Sequence, residues 1–453
     1  MKKMTLVLTT LTFLLCGCLE LDITPKVDPV SDDEVVDNDI PDDAGGTSQA
    51  ETDKTGKKKI KIQFHVDKSS TEGVAYKKRV DAFNAQSDKY VASPIFKART
   101  EGGADYEQQL IAQQLDGSLP DIITFDAPNC ASYAEAGLLY NITNYVSASE
   151  KDDFLSVNMY ANKIFGLPIQ ESSAGFYYNK TLFNELHIDV SGYTVDNPWT
   201  FDQFKQVCET LKNAGKVAVD MRFDATKDET ATYLLYPIIY AAGGAFVSSN
   251  GYNARGYYNK QETKNGFQFL KDLYTAGYTN YSIGATDFFT GKVGMYLSSG
   301  WTIPDLDNKF PEQFPNRDSW GLLPYPKSVT RASATGSWSY AITRNGIGEK
   351  EPAIELLKWM ASAESSSEIT KATGMIPSRR SCNPNYAAGS PEMVLFEQLD
   401  KTGIERPATV GYPQFSNTFR DLIAKLKDKD VSSIVEAATT ELQNALDKIR
   451  SEG

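Results

Sequence analysis

Histidine occurs only twice in the 453 residues, at His65 and His187, and cysteine only five times. A Ser-His-Asp or Cys-His apparatus would have to recruit one of those two imidazoles, and neither lies in a motif. His187, within Leu186-His187-Ile188, reads as structural. No C-x-x-C pair occurs, which removes zinc ribbons and thioredoxin-type redox sites. G-x-S-x-G, H-E-x-x-H and the P-loop are missing as well. Gly346-Ile347-Gly348 runs on into Glu349-Lys350-Glu351 without the third glycine of a dinucleotide fingerprint. No catalytic, metal or cofactor site is therefore expected. Basic charge is in short supply: 59 Asp and Glu outweigh 46 Lys and Arg, for a net charge of −13. A groove that neutralises nucleic-acid phosphates is not expected from such a balance. Acids are so abundant that carboxylate pairs spaced for glycoside hydrolysis carry no information.

A membrane-spanning apolar run is also lacking at the N-terminus. Lys2 and Lys3 precede the apolar stretch Met4 to Leu15, which would rise only ~18 Å as a helix against a hydrocarbon core of ~30 Å. It reads as an export signal. Leu15-Cys16-Gly17-Cys18 resembles a bacterial lipobox, which implies removal of residues 1–17 and a diacylglycerol thioether on Cys18. Several acyl chains at one residue give stable anchoring where a single chain does not. The remaining Cys130, Cys208 and Cys382 leave two arrangements open, one disulfide with a free thiol or three thiols.

Residues 19–57 hold twelve Asp or Glu, three Lys and no aromatic residue. Such a segment buries too little apolar surface to offset its ordering entropy, so 18–57 is expected to be a lipidated cysteine on a disordered tether. Taking the tether's −9 and the signal's +2 from the total of −13 leaves a body of only −6.

Beyond the tether, strand and helix patterns alternate. Lys59 to Phe64 reads as a strand, and Tyr76, Val80 and Phe83 recur behind it at helical spacing. Pro120 to Phe125 is a short continuous apolar run, as in a strand buried on both faces. Ile354, Leu357 and Ala361 form a helical stripe. From Val431 to Ile449, apolar residues step by three and four, predicting a long closing helix. The order predicts an α/β fold.

Several segments, in order from Lys59 to the C-terminus, resemble the extracellular solute-binding proteins of carbohydrate ABC importers, the maltose-binding-protein-like family 1. They are Pro120-Asp121-Ile122-Ile123 with Tyr133 to Leu139, and Gly166-Leu167-Pro168 with Phe176-Tyr177-Tyr178-Asn179-Lys180. Pro198-Trp199-Thr200-Phe201 follows, with Thr200 as a helix N-cap. Phe289 to Met295, Gly300-Trp301 and Gly321 to Lys327 complete the set.

The resemblance implies a two-lobed periplasmic-binding-protein fold with hinge crossings and an interdomain ligand cleft that closes on its ligand. Lobe 1 would comprise 58–170 plus 336–395, and lobe 2 would comprise 171–335 plus 396–453. It also implies that the chain is no enzyme but captures a sugar or oligosaccharide outside the cytoplasmic membrane. Delivery would be to permease subunits with a cytoplasmic ATPase, by a lipid-anchored monomer on the cell membrane, or the outer membrane in a diderm.

A sugar ring has apolar faces and a hydroxyl rim, so aromatic plates and planar hydrogen-bonding groups are what to look for. By resemblance these are Trp301, Tyr233 and Trp338, with Asp67, Lys68, Asp126, Asn129, Gln170 and Glu171. The maltose-type pattern is broken where Thr124-Phe125 replaces the expected tryptophan and Pro128-Asn129 the Asp-Arg pair. Arg379, Arg406-Pro407 and Tyr412 recur as landmarks of the family, read here as structural. Two alternatives stand beside this reading: the same fold holding a glycerol-phosphate-type polyol, or an exported carbohydrate-active enzyme or adhesin.

Overall fold

The computed structural model describes residues 52–99, 104–336, 338–344 and 350–452. The signal 1–17, Cys18 and most of the tether lie outside the described residues. The tether's last residues, 52–57, depart from the expectation of disorder. The Asp53 carboxylate accepts the backbone N–H groups of Thr55 and Lys57 at 2.8 and 2.9 Å, and Thr52 bridges Lys58. An aspartate closing its own turn supplies backbone partners without apolar burial.

The strands in chain order are β1 (Lys58–Phe64), β2 (Tyr90–Phe96), β3 (Ile122–Asp126), β4 (Asn158–Tyr160), β5 (Lys163–Pro168), β6 (Gln170–Glu171) and β7 (Ala174–Asn179). They continue as β8 (Val217–Asp220), β9 (Val293–Ser299), β10 (Trp320–Leu323), β11 (Ser333–Ala334), β12 (Trp338–Ile342), β13 (Ile376–Pro377) and β14 (Gly403–Ile404). One sheet has the order β2-β1-β3-β12-β5-β4, the other β10-β7-β9-β8. β1 runs parallel to both β2 and β3, the geometry of strand–helix–strand units, and β12 returns antiparallel between β3 and β5. Every residue of β3 is buried, as its continuous apolar run demands.

The helices follow their sequence signals. Thr71–Gln86 starts at Ser70, whose hydroxyl accepts the Gly73 N–H, and buries Tyr76, Val80 and Phe83. Phe201–Asn213 begins at Thr200 with a capping box: the Gln203 N–H donates to Thr200 Oγ1 at 3.2 Å while Gln203 Oε1 accepts the Thr200 N–H at 2.8 Å. The closing helix runs Val431–Glu452. Lys350–Met360 and Ala363–Thr373 pack on the first sheet through Ala353, Leu356, Leu357, Met360 and Ile369. Tyr412–Lys425 and the closing helix pack against each other and against the helices Glu229–Ala241 and Gln261–Thr275 in the core of the second lobe. This is the two-lobed α/β architecture expected.

Two short ladders, β6–β13 and β11–β14, lie where the chain passes between the sheets. The division expected at 395/396 falls inside one helix, Pro391–Thr402. Ser390 caps it, Pro391 starts it, and Leu395 is buried with Ile303, Trp320 and Leu322, so nothing breaks it at the expected point. Cys130, Cys208 and Cys382 are all free thiols, the first two buried.

Candidate functional site

Between the sheets lies a cavity of about 640 Å³, within the range that holds small organic ligands. The first lobe supplies His65, Asp67, Glu72, Arg99, Asp126, Gln170 and Trp338 to its wall; the second supplies Asp228, Glu229, Tyr233, Trp301, Asp305 and Arg406.

His65 follows β1 directly and is fully buried. Its backbone N–H donates to Thr124 Oγ1 at 3.0 Å, and Nδ1 shares the same hydroxyl at 2.9 Å. Nε2 has no hydrogen-bond partner and lies 3.7 Å from Glu72 Oε1. Burial, and secondarily the charge of Arg99, hold the imidazole well below its usual pKa, so it is neutral at physiological pH. The ring stacks on Trp338 at 3.4 Å and 3°, and the Arg99 guanidinium carbon lies 4.7 Å from the Trp338 ring centroid. Trp338 is thus on the wall as expected, but its ring is already occupied by protein groups.

Asp67 begins the turn into the first helix and accepts the Ser69 N–H at 2.7 Å; its hydrogen bonds to Ser69 hold the carboxyl below the usual range. A side chain at Gly73 would strike the Asp67 carbonyl, so glycine is what lets the helix start close beneath this turn. Lys68 points to solvent from the same turn and does not line the cavity, contrary to expectation. Glu72, in the helix's first turn, accepts the Tyr76 hydroxyl and, at 3.4 Å, the Gln170 amide; burial raises its pKa.

Asp126 ends β3 on the cavity wall, but its carboxylate is committed. Arg406 donates to both oxygens, at 2.7 and 2.8 Å, and its Nη1 also reaches Glu229 Oε1 at 2.8 Å. Tyr412 donates its hydroxyl to the same Glu229 oxygen. Burial works against the Arg406 charge, yet Asp126, Tyr412 and Glu229 hold its pKa well above the usual value. A cation buried this deeply persists only when paired. The expected availability of Asp126 to a ligand is corrected accordingly.

Two further residues expected at the ligand site do not line this cavity. Asn129 is buried at the end of the single turn Ala127–Asn129 and does not line the cavity. Glu171 faces away because neighbours on a strand point to opposite sides: Gln170 lines the cleft, Glu171 a smaller cavity of about 150 Å³ behind the crossing strands. There Ser156 donates to Glu171 at 2.6 Å, while burial and then Glu405 push its carboxyl up to about 7.

Tyr233 stands one turn into helix Glu229–Ala241, with its hydroxyl 2.6 Å from Ser172 Oγ. The Trp301 ring lies 5.8 Å from it at 45° and is 41% exposed. A side chain on Gly300 would collide with the Gly374 carbonyl, and one on Gly374 with that of Gly300; this glycine contact sets Trp301 at the cavity mouth. Sequence reasoning passed over His65, Glu72, Glu229 and Asp305, and treated Arg406 only as a landmark. Among the described residues, no cluster of three or more His, Cys, Asp or Glu is arranged to hold a metal ion, and no helix is long and apolar enough to cross a membrane.

Residues 78–393 match the model of the bacterial extracellular solute-binding protein family. A binding protein of Brucella abortus is 22% identical over 320 residues, 68% of this chain and 75% of the relative. The multiple sugar-binding protein of Streptococcus mutans is 27% identical over 155 residues, covering 33% of this chain and 35% of its own length. The crystal structure of the cyclic alpha-maltosyl-1,6-maltose binding protein from Arthrobacter globiformis superposes with a TM-score of 0.73 at 23% identity, covering 87% of this chain and all of the other. With two lobes around a ligand-sized cavity and a family match over most of its length, the chain belongs to the bacterial extracellular solute-binding proteins.

Proposed function

We propose that the chain captures a sugar or oligosaccharide outside the cytoplasmic membrane and hands it to the permease of an ABC importer, without transforming it. The observation that carries this reading is the cavity between the lobes, where the exposed face of Trp301 beside Tyr233 is met by carboxylates and an amide. Aromatic faces suit the C–H surface of a sugar ring, and planar acceptors suit its hydroxyl rim. The sugar-binding relatives favour the same reading. The ligand contacts assigned to the cleft are Trp301, Tyr233, Asp67 and Gln170. Lobe 1 is taken as 58–170 plus 336–390, so that helix Pro391–Thr402 stays whole in lobe 2.

Anchoring would come from a lipid on Cys18, with the acidic tether giving reach. The Cys18→Ser protein is expected in the soluble fraction; retention in membranes would refute the anchor. For the ligand, a thermal-shift screen over mono- and oligosaccharides with glycerol phosphates included is the direct test, since a ligand raises the melting temperature by mass action. Stabilisation by glycerol phosphates alone would overturn the sugar reading. The cavity wall argues against that outcome, because it carries six carboxylates and only two guanidinium groups.

A further inference from the structure

Glu72 divides its carboxylate between the protein and the cavity. It stands in the first turn of helix Thr71–Gln86, where a negative charge is favoured. Oε1 accepts the Tyr76 hydroxyl and, at 3.4 Å, the Gln170 amide. Two donors on one oxygen match an ionised carboxylate, whose other oxygen accepts as well. Burial works against that charge, whereas the Tyr76 hydroxyl and Arg99 support it. No described residue donates to Oε2, and the side chain, 22% exposed, lines the cavity.

His65 is the second, independent observation. Thr124 Oγ1 accepts the His65 backbone N–H at 3.0 Å, and its own proton has two acceptors in reach, His65 Nδ1 at 2.9 Å and the Gln63 carbonyl at 3.4 Å. The nearer one takes it, which leaves the ring proton on Nε2. That buried N–H has no hydrogen-bond partner and faces Glu72 Oε1 at 3.7 Å, on a ring fixed by its stack on Trp338. Its dipole holds Oε1 to the wall and leaves Oε2 to the cavity.

Gln170 stands beside this acceptor. Its carbonyl oxygen accepts the Thr373 hydroxyl at 3.4 Å, and one amide hydrogen goes to Glu72. The other amide hydrogen meets no described acceptor, and Gln170 lines the same cavity. An open acceptor and an open donor therefore lie side by side. Neighbouring hydroxyls on a sugar ring match that order, one donating and the next accepting.

We propose that Glu72 and Gln170 read an adjacent pair of hydroxyls on the captured sugar, Glu72 Oε2 accepting from one and the Gln170 amide donating to the other. His65 is the positioning residue that keeps Glu72 in place. This rests on the sugar-capture reading and narrows its ligand class to sugars with a free vicinal diol.

The test is isothermal titration calorimetry of the full chain with maltose, isomaltose, cellobiose and their trisaccharides, followed by monodeoxy derivatives of whichever binds. A hydrogen bond to a charged group contributes more than one to a neutral group, so one deoxy position is expected to bind about 10- to 100-fold more weakly than the parent sugar, and an adjacent position about 3- to 10-fold. This scan of the unaltered chain needs no variant to fold. Glu72→Gln should weaken the parent sugar about ten-fold while leaving the sugar without the first hydroxyl nearly unchanged, and Gln170→Ala should show the same selectivity for the adjacent one. His65→Ala should shrink the discrimination at the first hydroxyl several-fold, and His65→Gln, which keeps an N–H donor, should restore it. A purely structural role for His65 would weaken parent and deoxy sugars alike. Sensitive hydroxyls that are not adjacent, or a Glu72→Gln protein that loses affinity equally for every deoxy sugar, overturn the proposal while leaving sugar capture intact. Failure of every sugar counts against both.

Discussion

Trp338 opens β12 with His65 stacked on it at 3.4 Å and Arg99 over its ring, whereas Trp301 stands at the cavity mouth 41% exposed, its nearest ring that of Tyr233 at 5.8 Å. The contrast extends to the groups around them. On the first-lobe side, Asp126 is tied to Arg406 and Glu72 to Tyr76 and Gln170, so side chains satisfy one another across the wall. On the second-lobe side, Trp301 and Asp305 line the same cavity and remain exposed. The difference separates two kinds of residue in one cavity. Groups bound to each other should govern stability, and groups left open should govern affinity.

The largest expected effect is at Arg406. Arg406→Leu leaves the buried Asp126 and the half-buried Glu229 without their cation, and removing one partner of a buried pair costs about 3–5 kcal/mol. Urea unfolding of the ligand-free protein measures it. A loss below about 1 kcal/mol, the scale of an exposed pair, would mean that the first-lobe wall is not held as described.

Glu171 tests the face behind the cleft. Its folded pKa of about 7 lies above the ordinary value of 4.5, so between those pH values the folded chain keeps a proton that the unfolded chain has released. Stability therefore falls as pH rises through that window, and the full loss is felt above it. Glu171→Gln removes the dependence: the variant should gain up to about 3 kcal/mol over the parent at pH 8 and nothing at pH 4. An equal difference at both pH values would show that the carboxyl titrates normally. Trp338→Ala comes next, at about 2–3 kcal/mol of stability, less than for a fully buried tryptophan because part of its surface is open. It should also weaken ligand binding, since His65 loses the ring that fixes it. Unchanged unfolding with weakened binding would place Trp338 in the open class with Trp301.

What the sequence revealed divides along similar physical lines. β3, the helix beginning at Thr200 and the closing helix were legible because apolar runs, helical periodicity and caps are local signals. Tyr233, Trp301, Asp67 and Gln170, expected from family resemblance, do line the cavity. The ion pair between Arg406 and Asp126 was not legible: its partners stand 280 residues apart and meet only because β3 and the segment after β14 end at the same place. Glu171 was lost to strand parity, Asn129 to burial in the turn Ala127–Asn129, and Lys68 to a turn that sends it to solvent. For Glu171 and Lys68, whose neighbours Gln170 and Asp67 line the cavity, a shift of one residue along the chain exchanges cavity for core or solvent. The 395/396 division, drawn from resemblance, falls within the continuous helix Pro391–Thr402, whose capping and packing are not local signals at that point.

Trp301→Ala is the smallest change in stability and the sharpest probe of the contrast. Since the ring is 41% exposed and makes its main described ring contact with Tyr233, unfolding should move by no more than about 0.5 kcal/mol. Sugar affinity, by contrast, should fall about 5- to 30-fold, the 1–2 kcal/mol that an aromatic face contributes when a ligand covers it. Titration calorimetry and urea unfolding of the same preparation decide between the two classes. If affinity survives while stability drops, the ring is part of the core and the open side of the cavity lies elsewhere. If affinity alone drops, the exposed ring is a surface that the ligand completes.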